Sequence, residues 1–167
     1  ALKCAEMARD VAREKGYGTF LSCSPDEIDR RTGQSMMPFQ ISEAIENAEF
    51  EVYVQPKESL KDGTCSGGEC LIRWIRPNGS SVSPADFIPM AESAGLIRDI
   101  GRYVLDRVCE ELQRLEKDGF TPTLALNASQ LELQDPDFAD RVIEKLSTSG
   151  IDPKRIEIEI TETAISS

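Results

Sequence analysis

Residues 156–160 read Ile-Glu-Ile-Glu-Ile. A period of two sends successive side chains to opposite faces of an extended strand. The isoleucines therefore share one face, and Glu157 and Glu159 share the other. On a half-exposed strand the two acids would simply be solvated. In a parallel barrel, the face turned away from the helices points inward. A carboxylate there is costly unless it is paired, protonated or bound to a cation. Which case applies depends on what the rest of the chain builds around this strand.

From residue 50 onward, extended and helical periods alternate. Phe50–Gln55 reads as a strand, with Val52 and Val54 on one face. Glu69–Ile75 reads as a second strand, and the glycine-containing stretch 59–68 between them predicts an antiparallel hairpin. Ser83 and Pro84 are a cap and first residue for a helix that runs to about Ala94 and stops at Gly95. Ile97–Lys117 is a longer amphipathic helix closed by Gly119. A strand at Thr123–Asn127, a helix at about Asp135–Leu146 and a strand at Arg155–Ile160 follow, with Gly150 and Pro153 in the last turn. Strands alternating with helices imply parallel pairing and an α/β architecture. So short a parallel sheet leaves an open edge and an uncovered face. The expectation is a truncated domain, or one completed by another chain.

The N-terminal part is less regular. Residues 2–15 carry an apolar stripe at helical spacing, ended by Gly16 and Gly18. Tyr17–Cys23 is a short strand candidate. Residues 24–37 are polar and read as a linker or exposed turn, and Pro38 is placed to open a helix to about Ala48.

Composition narrows the chemistry. The 167 residues carry a net charge of −11, with 40% hydrophobic and 29% charged residues. That fits a globular chain, and an acidic surface argues against general nucleic-acid binding. A small phosphate ligand held by one or two arginines or a metal is still compatible with it. There is no histidine, which excludes Ser-His-Asp and Cys-His catalysis and most catalytic zinc sites. Any metal chemistry must rest on carboxylates and amides, which suit hard cations. The five cysteines, Cys4, Cys23, Cys65, Cys70 and Cys109, are odd in number and form no CxxC pair. They read as reduced thiols, and zinc at Cys65 and Cys70 would need two further ligands that are not evident. No segment approaches the roughly 20 consecutive apolar residues of a membrane span, and no signal peptide is visible.

Two strand ends concentrate polar side chains. In Glu69-Cys70-Leu71-Ile72-Arg73-Trp74, alternation puts Glu69, Leu71 and Arg73 on one face and the apolar Cys70, Ile72 and Trp74 on the other. Glu69 and Arg73 could be no more than a cross-strand surface pair. Asn127, however, closes a similar strand, and Glu157 and Glu159 lie near the end of a third. Acids and an amide at the C-terminal ends of successive parallel strands follow the way α/β barrels arrange their active sites.

Residues 50–162 resemble the EAL family of phosphodiesterases, which act on the bacterial second messenger cyclic di-GMP. The resemblance rests on Gln55-Pro56, Gly68-Glu69-Cys70-Leu71-Ile72-Arg73-Trp74 and Ser83-Pro84-Ala85-Asp86-Phe87-Ile88-Pro89. Ala91-Glu92, Gly95-Leu96-Ile97, Asn127-Ala128-Ser129 and Glu159-Ile160-Thr161-Glu162 extend it in order. It implies a partial TIM-like (β/α) barrel that opens with an antiparallel strand. It also implies that Glu69, Asn127 and Glu159 are ligands of Mg²⁺ or Mn²⁺, and that Gln55, Leu71 and Arg73 contact the dinucleotide, Arg73 through a phosphate. Glu162 would anchor a loop. The implied reaction is metal-assisted hydrolysis of cyclic di-GMP to linear pGpG in the bacterial cytoplasm, any membrane anchor belonging to other parts of the parent protein.

Cys70 departs from the alanine usual in the motif, but faces the apolar side. The family's Asp-Asp-Phe-Gly-type segment, its lysine and a further glutamate have no counterpart here, so the chain is expected to be inactive alone. The alternatives are a degenerate domain that senses cyclic di-GMP without cleaving it, and an interaction or homodimerisation element. Ala5-Glu6-Met7-Ala8, Ala12-Arg13-Glu14-Lys15-Gly16 and Ser24-Pro25 resemble the end of a GGDEF domain, although a generic amphipathic helix accounts for the same residues. The expected division is therefore 1–23 as a GGDEF-like tail, 24–48 as linker and entry helix, and 49–167 as the first half of an EAL domain.

Overall fold

The computed structural model describes residues 25–160, and side chains from Met36. The expected helix at 2–15, the strand at Tyr17–Cys23, the GGDEF-like tail and Glu162 lie outside the described residues.

Helix α1 spans Pro25–Glu46 and is followed by strands β1 (Phe50–Glu58), β2 (Cys65–Ile75) and β3 (Ser81–Val82). Then come α2 (Pro84–Ser93), α3 (Ile97–Lys117), β4 (Thr123–Ala128) and the short α4 (Gln130–Leu133). Helix α5 (Phe138–Thr148), a 3₁₀ turn at Pro153–Arg155 and β5 (Ile156–Ile160) complete the described chain. The strand order is β1-β2-β4-β5, with β3 paired to β2. β1 runs antiparallel to β2, while β2, β4 and β5 are mutually parallel. The expected α/β fold opening with an antiparallel strand is what the chain forms.

One expectation fails. The polar stretch read as a linker is helical from Pro25, and Pro38 lies inside α1 instead of opening it. Proline has no amide hydrogen to give the preceding turn, but the helix continues through it into Ile41 and Ala44, both fully buried. Tertiary burial of that last part outweighs the local stop signal. Smaller differences concern β3 and α4, which were not anticipated, and α5, which starts at Phe138 rather than near Asp135.

Two apolar clusters hold the layers together. In the first, Ile41 and Ala44 of α1 meet Phe50, Trp74, Phe87, Ala91, Ile97 and Ile100. Trp74 lies 5.4 Å from Phe50 and 5.6 Å from Phe87 between ring centres, and each such pair adds about 0.5–1.5 kcal/mol to the area term. Trp74 Nε1 donates to Glu49 Oε2 at 2.9 Å, and Tyr103 Oη donates to the Phe50 carbonyl at 2.7 Å. In the second cluster, Cys70, Leu124 and Leu126 of the sheet meet Val108, Cys109 and Leu112 of α3, with Leu146 and Ile151. All these helices lie against one face of the sheet, and the polar residues of interest occupy the other. No helix among the described residues is long and apolar enough to cross a membrane.

Candidate functional site

Strand register decides which side chains meet. Gln55 is opposite Glu69, Tyr53 opposite Leu71, and Glu51 opposite Arg73. Glu69 is beside Ala125, Ala125 beside Glu157, and Asn127 beside Glu159. Paired residues share a face, so Gln55, Lys57, Glu69, Leu71, Arg73, Asn127, Glu157 and Glu159 all lie on the side away from the helices. Two glycines precede Glu69 because β2 is pinched there. A Cβ on Gly67 would lie 2.0 Å from the Thr123 carbonyl oxygen, and one on Gly68 would lie 2.7 Å from that of Gln55. Neither position has room for a side chain, and the close approach brings Glu69 into reach of β4.

The predicted ligands are partly joined. Asn127 Nδ2 donates to Glu69 Oε1 at 2.8 Å, linking residues 58 positions apart. The amide nitrogen is thus committed to Glu69, and Oδ1 is the end that can serve a cation. Glu159 adjoins Asn127 in register, but its carboxylate is engaged elsewhere. Lys57 Nζ donates to Glu159 Oε1 at 2.6 Å and lies 3.6 Å from Glu157 Oε2. β1 and β5 are three strand spacings apart, roughly 14 Å on a flat sheet. Side chains standing upright on a flat sheet would not meet over that span, so the contact reports a sheet curled toward this face. The Glu159 hydrogen bond, with the charges of Glu159 and Glu157, holds the Lys57 pKa above its ordinary value. The inward-facing acids at the end of the sequence are therefore paired. Reading from sequence did not single out Lys57, although its two-residue offset from Gln55 places it on the same face.

The predicted dinucleotide contacts are on the face but not gathered around a single point. Gln55 is exposed across from Glu69, and Leu71 is half-buried against β1. Arg73 Nη1 donates to the Ile72 carbonyl at 2.8 Å, with its guanidinium 5.9 Å from the centre of the Tyr53 ring. Cys70 points the other way, as expected, and is 4% exposed. Burial, followed by the charge of Glu69, pushes its thiol up to about 11. Behind the same strands, a cavity of about 410 Å³ runs between α2, α3 and α5, lined mainly by apolar side chains such as Ile88, Ile100, Val104 and Val142.

Among the described residues, no three His, Cys, Asp or Glu side chains converge on one point. A metal would therefore depend on the Asn127 amide together with Glu69 and Glu159. These are oxygen donors on one face of adjacent strands, and Glu159 already binds a cation in the form of the Lys57 ammonium. The set fits a hard divalent ion.

The EAL domain family matches residues 40–167. A Caulobacter vibrioides signaling protein described as uncharacterized is 35% identical over 161 residues, spanning 96% of this chain and 20% of that protein. The cyclic di-GMP phosphodiesterase PA2567 of Pseudomonas aeruginosa is 31% identical over 165 residues, spanning 98% of this chain and 28% of that protein. Among solved structures, the PaMucR phosphodiesterase in complex with c-di-GMP superposes with a TM-score of 0.71 at 31% identity, over 78% of this chain and 53% of that one. The chain thus spans 20% to 28% of the length of these curated relatives. Because the family match takes in every strand of the sheet and most of the chain, this protein belongs to the EAL domain family.

Proposed function

We propose that this chain supplies one half of a metal-dependent phosphodiesterase site that hydrolyses cyclic di-GMP to linear pGpG. The observation that carries the reading is the Glu69–Asn127 bond, with Glu159 beside Asn127 on the same face. A relative named as a cyclic di-GMP phosphodiesterase and a structural neighbour bound to c-di-GMP support the choice of substrate.

Glu69, Glu159 and the Asn127 oxygen would hold Mg²⁺ or Mn²⁺. When bound, such an ion lowers the pKa of a water and offsets charge on phosphoryl oxygens. The chain's own part is to fix the donors. Asn127 clamps the Glu69 carboxylate, and β4–β5 pairing sets Glu159 alongside. Arg73 is the phosphate contact and must release the Ile72 carbonyl to act, a modest exchange because phosphate is the stronger, charge-assisted acceptor. Gln55 and Leu71 flank it as further dinucleotide contacts. Glu162 is the loop anchor. Residues 1–23 end an upstream GGDEF-like domain, 24–48 form the entry, and 49–167 form half of the EAL domain.

The test is conversion of cyclic di-GMP to pGpG by the parent protein with Mg²⁺ or Mn²⁺, followed chromatographically. Glu69→Gln keeps the shape and removes the charge, and turnover is expected to fall at least about a hundredfold. Asn127→Ala should fall comparably. Full turnover by either variant refutes the assignment of the ligands. Binding of the dinucleotide without release of pGpG by the unaltered parent replaces the enzyme with a sensor. The 167-residue chain on its own is expected to release none.

A further inference from the structure

The side chain that holds Glu159 is not one of the predicted ligands or contacts. Lys57 Nζ is 2.6 Å from Glu159 Oε1 and 3.6 Å from Glu157 Oε2, reaching from one end of the sheet to the other. It is the cation recorded on those two acids among the described residues. Arg73, on the same face, is turned to a backbone carbonyl. Without Lys57, the carboxylates of Glu69, Glu157 and Glu159 would share one concave face uncompensated, and like charges in one site raise each other's cost.

We propose that Lys57 is the built-in counter-cation of the metal-free site: it holds Glu159 in place until a divalent ion displaces it, and so sets the affinity for that ion. The proposal rests on the reading of Glu159 as a ligand. Exposure makes the exchange feasible. The Lys57 and Glu159 side chains are 43% and 40% exposed, and ion pairs this open are weak and readily surrendered. A divalent ion brings twice the charge to the same oxygen. The freed ammonium stands on a flexible four-carbon stem and has Glu157 beside it, so it can move over without leaving the face.

The arrangement predicts opposite effects in the two states of the site. In the parent protein, Lys57→Met should bind Mn²⁺ up to about fivefold more tightly, counted by the electron paramagnetic resonance signal of free Mn²⁺, because no internal cation competes. Lys57→Arg, with a forked donor that suits a carboxylate better, should bind Mn²⁺ no more tightly than the parent. Without metal, Lys57→Met should unfold at a lower temperature than the parent, and saturating Mn²⁺ should abolish or reverse that difference by linkage. Mn²⁺ affinity in Lys57→Met that is unchanged or weaker than in the parent overturns the counter-cation role. So does a thermal deficit that persists in saturating Mn²⁺, which would mark Lys57 as purely structural. Glu159→Gln separates this inference from the reading beneath it. If that substitution leaves Mn²⁺ affinity intact, Glu159 is no ligand and the reading itself fails. If it weakens Mn²⁺ while Lys57→Met changes nothing, only the present inference fails.

Discussion

Cys70 stands between Glu69 and Leu71, two residues of the proposed site, but belongs to the other face. Its thiol, raised to about 11 by burial and the Glu69 charge, is ionised at pH 7 to about one part in ten thousand. Cys109 is also buried and raised, again chiefly by desolvation, whereas Cys65 is exposed. Alkylation with iodoacetamide at pH 7, mapped by peptide mass spectrometry, should therefore mark Cys65 quickly and spare Cys70 and Cys109 until the protein is unfolded. Fast labelling of Cys70 would mean that β2 does not hold this face inward. Cys70 shows what is legible at the scale of a residue. Alternation alone assigned Glu69, Leu71 and Arg73 to one face and Cys70, Ile72 and Trp74 to the other, because a strand's period is a local property. Lys57 is not legible for the complementary reason. Its partner is 102 positions away, and the contact exists only because the sheet curls, which no local pattern records. The Asn127–Glu69 bond is also long-range, 58 positions apart: the strand pattern marks both residues as candidates, but not that they touch, and their role as ligands comes only with the resemblance to the family.

Among the elements, the shortest helix is the most informative. Ser129 and Glu132 form a reciprocal capping box at the start of α4: the Ser129 hydroxyl accepts from the Glu132 amide, and Glu132 Oε2 accepts from the Ser129 amide at 3.0 Å. The S-x-x-E spacing is a recognised start signal. It does not by itself announce a helix here, because only four helical residues follow and no apolar period develops. The carboxylate is packed against α3 so closely that a Cβ on Gly101 would lie within 2 Å of it. Gly101→Ala therefore sets two effects against each other. Alanine favours a helix interior over glycine by about 1 kcal/mol. Displacing the Glu132 carboxylate forfeits a cap worth about 1–2 kcal/mol and adds strain. The net expectation is a loss of about 1 kcal/mol in urea unfolding, turning neutral or favourable when Glu132→Ala removes the obstruction; additive effects would show that the two residues do not touch. The same carboxyl contributes a pH dependence. Burial, with a smaller push from Glu92, raises the Glu132 pKa in the folded state despite the Ser129 bonds. A raised folded pKa gives stability that is full below the unfolded value, near 4.3, and that fades as pH rises through the folded value. Glu132→Gln keeps an acceptor for the cap and removes the titration. Its stability, measured from about pH 4 to 7, should decline less than that of the parent chain; an unchanged slope would assign the decline to other groups. Helix α1 departs from its local pattern for the opposite reason to α4. Pro38 and a polar run are strong local stop signals, and they were overridden by the burial of Ile41 and Ala44 against Phe50 and Trp74.

At the scale of the molecule, the order of strands and helices was legible because βα alternation leaves few topologies, and β2, β4 and β5 are parallel as that order requires. The division of the core was not legible, since it depends on which elements span it. The first cluster gathers around Trp74, and the second around Leu112 and Leu124. Helix α3 and strands β1 and β2 run through both, β1 with Phe50 in the first and Val52 against the second. Helix α3 gives Ile97 and Ile100 to the first cluster and Val108, Cys109 and Leu112 to the second, with Val104 touching each. Strand β2 likewise carries Trp74 in one and Cys70 in the other. An element cannot easily unfold at one end while its other end stays packed, because fraying α3 or β2 opens backbone bonds in both clusters. The two clusters should therefore melt as one unit. Leu112→Ala tests this, since Leu112 is fully buried in the second cluster and its truncation should cost about 2–5 kcal/mol. Trp74 is the sole tryptophan in the chain, and its emission reports the first cluster. In urea, the Leu112→Ala transition followed by Trp74 emission should shift to lower concentration by the same amount as that followed by far-UV circular dichroism. A Trp74 midpoint that stays in place while the circular dichroism moves would mean that the helix and strand do not couple the two clusters, and that the face carrying Glu69 and Asn127 rests on a core that can open on one side alone.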